Sequence, residues 1–91
     1  MKAEISEGNV VISKKGRDKG RIFVVLYHLD ADFVMICDGQ THLLAKPKKK
    51  RIKHLLATAN FLPELVQLFK QGLLKDSDIR SRLASVVSDM S

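Results

Sequence analysis

Apolar residues run in short, strand-length bursts through the first half of the chain and recur at helical spacing through the last third. Val10 to Ser13 reads as a first strand. Arg21 to His28 reads as a second, in which Ile22, Val24 and Leu26 alternate with Phe23, Val25 and Tyr27. Both faces of that run are largely apolar, which fits a strand in a small closed sheet. Leu29-Asp30-Ala31-Asp32 supplies a turn, Phe33 to Cys37 a third strand, and Asp38-Gly39 a strong turn signal directly after it. Gln40 to Ala45 reads as a fourth short strand. Strands this short, joined by Gly- and Asp-containing turns, predict a small closed barrel.

Pro47 is expected to stop regular pairing. The run Lys46-Pro47-Lys48-Lys49-Lys50-Arg51-Ile52-Lys53-His54-Leu55 follows, with six cations in its first eight residues and no acid. Ile52 and Leu55 give it an apolar hold on the sheet, which predicts a docked segment rather than a free tail. Asn60 to Gly72 reads as a helix: Asn60 as its cap, Pro63 in the first turn, Glu64 at the positive end of the helix dipole and Gly72 as its stop. Phe61, Leu62, Leu65, Leu68 and Phe69 form its apolar stripe. A second helix is expected from Asp76 or Ser77 to about Ser88, with Ile79, Leu83, Val86 and Val87 on one side. The two are expected to pair as a hairpin about Gly72 to Lys75. The chain is thus mainly β with a C-terminal α segment, a basic module over residues 1–58 and a helical, neutral one over 59–91.

Charge sharpens that division. Residues 1–55 hold twelve Lys and Arg against six Asp and Glu, and residues 56–91 hold four against four. The whole formal excess of +6 therefore lies in the first module, which favours an acidic partner there. The single Cys37 excludes an intramolecular disulfide and a multi-cysteine zinc site, and inside Phe33-Val34-Met35-Ile36-Cys37 it reads as a small core residue of a reducing, cytoplasmic compartment. Residues 1–8 contain no apolar stretch of the kind a secretory signal needs, and no apolar run reaches membrane-span length, so no membrane partner is expected.

Gly16-Arg17-Asp18-Lys19-Gly20-Arg21 lies between the first two strands, with Lys14 and Lys15 just before it. Glycine takes positive φ cheaply, so Gly16 and Gly20 predict a rigid turn that holds several cations at one end of the sheet. The loop is no P-loop: it lacks the Gly-Lys-Ser/Thr ending and leads into a strand. An ordinary soluble hairpin accounts for it equally well until the second cluster is counted. Lys46, Lys48, Lys49, Lys50, Arg51 and Lys53 read either as a solvated linker or as a set of phosphate contacts. His54 lies within that cluster, whereas His28 and His42 read as sheet residues. The three histidines match no metal spacing, and no carboxylate pair or nucleophile motif is present, so neither metal, cofactor nor enzymatic activity is expected. Phe23 and Phe33 read as core, and Tyr27 as the aromatic best placed to stack on a base.

The stretch from Gly8 through Val25, with Gly16, Lys19 and Gly20, resembles a KOW motif, the glycine-centred strand–loop–strand of ribosomal proteins and NusG-type transcription factors. The likeness extends through Asp32-Phe33-Val34 and Asp38-Gly39 to Lys49-Lys50-Arg51-Ile52-Lys53-His54-Leu55, the order found in the fourteen-e family of archaeal and eukaryotic large-subunit ribosomal proteins. It covers roughly residues 8–55. The resemblance implies an SH3-like barrel that binds ribosomal RNA through Arg17, Lys19, Arg21, Lys49, Lys50, Arg51, Lys53 and His54. Lys19 stands where that family usually has Ala, and residues 60–91 lack its long basic extension, which points to a bacterial relative. The function expected is non-catalytic binding of structured RNA, most of all ribosomal RNA, in translation or at the ribosome. The alternative is a protein-interaction module docking on a ribosomal, transcription or translation protein, with a partner at the C-terminal helices.

Overall fold

A computed structural model of the chain describes residues 5–90; the absence of a signal, read partly from residues 1–4, lies in part outside them. The alternating run of the second strand forms β2 (Ile22–His28), flanked by β1 (Asn9–Ser13) and β3 (Phe33–Cys37). Lys48–Arg51 forms β4, a 3₁₀ turn spans Ile52–His54, and Leu55–Phe61 forms β5. Two helices follow, α1 (Pro63–Lys70) and α2 (Asp76–Met90). The strands make one antiparallel sheet in the order β4-β3-β2-β1-β5.

That sheet is open, with no ladder between β4 and β5 among the described residues, which corrects the expectation of a closed barrel. It is nevertheless strongly coiled. Its two edge strands are consecutive in the chain and joined by only three residues. Four flat inter-strand spacings would set the edges about 19 Å apart, whereas a three-residue 3₁₀ turn advances about 6 Å. The sheet must curl until its edges nearly meet at that end.

Both faces of the sheet are buried at β1 and β2, as the double apolar alternation of β2 requires. Phe23 and Val25 join Ile5, Val11, Val34, Ile36 and Leu55 in an inner core, which the curled sheet covers largely by itself. Val24 and Leu26 face outward with Val10 and Cys37, and there the helices cover them through Leu62, Leu65, Ile79, Leu83 and Val86. The helical segment therefore packs on the sheet. The expected hairpin packs the two stripes on each other and leaves some apolar surface for a partner; instead the stripes enter a core shared with β1, β2 and β3, and Arg82 bridges to Glu64 at 2.6 Å between the helices.

Three element expectations are corrected. Gln40 to Ala45 is no strand, because Asp38 Oδ1 accepts the backbone N–H groups of Gln40, Thr41 and His42 at 2.9 Å each. Those bonds wind the chain into a tight turn and use donors a ladder would need. The N–H of Leu44 goes to Asp76 Oδ1 at the start of α2. The strand that completes this edge is the lysine run itself, which begins pairing directly after Pro47, with Phe33 opposite Arg51 and Met35 opposite Lys49. Finally, Asn60 and Phe61 belong to β5 rather than to a helix. The Asn60 carbonyl accepts from Asn9 Nδ2 at 3.0 Å, so it is tied to β1, and the helix starts at Pro63 behind Leu62. Its end is as expected. Gly72 takes φ +73°, and the N–H groups of Gly72 and Leu73 reach back to the carbonyls of Phe69 and Leu68, a Schellman closure.

Candidate nucleic-acid interface

The glycine loop is built as a closed turn. Gly16 and Gly20 take φ +82° and +87°, the left-handed region that a side chain resists. The loop is cross-tied by Lys19 N–H to the Gly16 carbonyl, Gly20 N–H to the Ser13 carbonyl and Arg21 N–H to the Asp18 carbonyl, at 2.8–3.2 Å. Its one acid turns inward: the Asp18 carboxylate accepts from His42 Nε2 at 2.9 Å, and His42 rests beside the Phe23 ring at a centroid distance of 5.6 Å. The carboxylate can only accept, so Nε2 carries the proton. The hydrogen bond from His42, helped by the charges of Lys50 and Arg21 and opposed by partial burial, holds the Asp18 carboxyl below its ordinary value. His42 is thus a loop anchor, correcting its reading as a sheet residue. Removing Asp18 from the surface leaves Arg17 and Lys19 exposed at the loop tip.

The second cationic segment meets this loop. Lys50 Nζ donates to the Lys15 carbonyl at 3.1 Å, and the Lys14 N–H donates to the His54 carbonyl at 2.8 Å. Strand alternation decides which cations do this. Lys50 and Lys48 pair with Val34 and Ile36 and share their face of the sheet, with Lys50 reaching the loop. Lys49 and Arg51 pair with Met35 and Phe33 on the opposite face, and both flank the Phe33 ring, Lys49 Nζ at 4.5 Å and the Arg51 guanidinium at 5.0 Å from its centroid. Each such cation–aromatic contact is worth about 0.5–1 kcal/mol at an exposed site and fixes the long side chain in place. His54 sits where the two segments touch. Partial cover, followed by the positive charges of Lys15, Lys53, Arg51 and Lys50, pushes its pKa below the ordinary value.

The remaining residues expected at the site spread outward. Lys53 is exposed on the 3₁₀ turn and Lys48 at the start of β4. Arg21 turns from the loop to the Thr41 hydroxyl. Lys46 is exposed in the preceding turn, its N–H on the Leu43 carbonyl at 2.9 Å. Among the described residues, the ion pairs are His42–Asp18, Lys70–Glu7 and Arg82–Glu64, so no carboxylate pairs with a cation of the loop or of β4.

Comparison with known protein families and with curated proteins returns no match.

The described residues hold no group of His, Cys, Asp and Glu side chains able to bind a metal. His28, at the exposed end of β2, has its Nε2 2.8 Å from the Ile5 carbonyl. Tyr27 stacks on Phe69 of α1 at 5.8 Å and 14°, so one of its ring faces is taken within the protein. The aromatic within the cationic surface is Phe33, which its position in an apolar strand marks only as core. Its pairing with a lysine-rich strand is what brings two cations to its ring, and that pairing has no local signal. No helix among the described residues is long and apolar enough to cross a membrane.

Proposed function

We propose that this protein binds structured RNA without catalysis, through a phosphate-gripping surface built from the glycine loop and the lysine strand. The observation that carries the reading is the convergence of two cationic segments thirty-five residues apart, tied by the bond from Lys50 Nζ to the Lys15 carbonyl. A cationic linker has no reason to fold back on a second cationic loop against their mutual repulsion. A surface whose counter-charge arrives with a partner does. Cations held on a strand and a cross-tied turn present their charges at fixed spacing, which suits a phosphate backbone. The loop's positive-φ glycines and the short connection between the two edge strands support an SH3-like, KOW-type sheet, and with it ribosomal RNA as the favoured target of a cytoplasmic protein.

The test is titration of ribosomal RNA fragments at several salt concentrations. Binding is expected to weaken steeply with salt. Changing Lys48, Lys49, Lys50 and Arg51 to Gln is expected to reduce the slope by about one unit for each phosphate that is no longer neutralised. A slope left unchanged by the fourfold variant would remove β4 from the site. Salt-insensitive binding to a ribosomal or transcription protein would replace the reading with protein docking.

A further inference from the structure

The cationic surface continues past the loop into a cleft. Arg21, which closes the loop onto β2, also lines a space of about 320 Å³ between the Asp38–Thr41 turn and α2. Arg80 of α2 stands in the same lining. Thr41 uses one donor of Arg21, and the Gly39 carbonyl accepts one from Arg80 at 2.7 Å. A guanidinium has five N–H donors, so both keep several for a ligand. Ile22, Ala84 and Val87 supply an apolar wall, and Gln40 supplies an amide able both to donate and to accept. The cleft's one acid, Asp38, is nearly buried and its Oδ1 is committed to three backbone N–H groups.

We infer, building on the RNA-binding reading, that this cleft takes one unpaired nucleotide extruded from the RNA that lies across the basic surface. Size, charge and layout each favour that occupant. The volume lies at the small end for ligand sites and suits a single nucleoside. Two guanidinium groups fit the phosphates on either side of an extruded base, since arginine donates in pairs to phosphate oxygens. The apolar wall covers the base, and Gln40 meets its hydrogen-bonding edge, as proteins read unstacked RNA bases. Arg21 closes the glycine loop and also lines the cleft, so an RNA backbone held at the loop lies beside the cleft's mouth. RNA of this class is a paired stem interrupted by a bulge or loop.

The experiment compares two RNA hairpins at low salt, one fully paired and one carrying a single bulged adenosine, using the full chain. The bulged hairpin is expected to bind about tenfold more tightly, and the methyl NMR signals of Ala84 and Val87 are expected to shift only with it. The double variant A84E/V87E changes two exposed positions of α2 and so leaves the fold in place, which its urea midpoint checks. It is expected to abolish the preference, with the two added carboxylates weakening binding of both hairpins by a common electrostatic factor. Equal parental affinity for both hairpins, or a preference that survives A84E/V87E, would overturn the inference and leave the RNA reading standing. Unmoved cleft methyls in an RNA-bound protein would hand the cleft to a protein partner and also overturn it. Failure to bind either hairpin would overturn both readings together.

Discussion

Two residues show how differently the same backbone conformation is used. Gly20 and Gly39 both take positive φ, at +87° and +77°. Around Gly20 an added Cβ meets nothing within 4 Å, whereas at Gly39 it would lie 2.4 Å from the Asp76 carbonyl oxygen and 3.1 Å from Arg80 Cγ. Gly20→Ala is therefore expected to cost only the left-handed backbone penalty, about 1–2 kcal/mol. Gly39→Ala adds a clash with the start of α2 and is expected to cost about 3 kcal/mol or more, with urea denaturation of both variants as the check. The turn role of Gly39 is legible from Asp38-Gly39, but the close approach of Asp76 from the distant start of α2 is not. Asp18 gives a pH signature. Its folded pKa lies below the ordinary 3.8 because of the bond from His42, so its stabilisation is present above that value and is lost as pH falls through it toward the folded value. The stability advantage of the parent over Asp18→Asn is expected to hold near neutrality and shrink below about pH 4. A difference constant down to about pH 3 would show that the Asp18–His42 bond does not set the acid response.

At the scale of elements, what was legible followed period and punctuation. β2 and β3 announce themselves as short apolar runs bounded by turn residues, and α2 by its acidic start and spaced Ile79, Leu83 and Val86. The end of α1 is written in Gly72. The strands missed have sequences that fit other states. Lysine is depleted in strands, so Lys48–Arg51 reads as a docked basic segment and not as a strand. It pairs because β3 offers it an edge, and an edge strand of lysines also deters pairing with other chains. Leu55–Phe61 contains Ala57 and Ala59 and lacks the β-branched density of β1, and only its place beside β1 makes it a strand. The helices were legible as helices, but where they pack was not, since an apolar stripe does not state its partner. Ile79 decides that question. It is fully buried among Val10, Val24 and Leu26 from the sheet and Leu65 from α1. Ile79→Ala is expected to cost about 2–5 kcal/mol and to weaken amide-exchange protection in the sheet and in the helices together. Loss of α2 protection with β2 protection unchanged would show the helices to be a separable unit.

For the whole molecule, the division by charge and the division by packing do not coincide. The basic excess stops near residue 55, yet the helices that follow form one wall of the core. The neutral segment covers the face of the sheet that carries Val10, Val24 and Leu26 and, at its edge, Lys49 and Arg51; uncovered, that face would present an apolar patch that invites association. Cys37 lies in that covered layer and reports on it. Its thiol is fully buried, and burial, with the nearby charges of Asp76 and Asp38, pushes its pKa up to about 12. A thiol reagent needs the thiolate and access to it, so native Cys37 is expected to react only through opening. If the sheet and helices form one cooperative unit, that opening is global. The labelling rate is then expected to rise with urea along the slope of equilibrium unfolding, and Ile79→Ala is expected to accelerate it by the factor its loss of stability sets. Labelling that is fast in the absence of urea and insensitive to it would mean that α1 and α2 lift from the sheet on their own. The outer core would then be a face that opens in the native protein, and the cleft beside Arg80 would open with it.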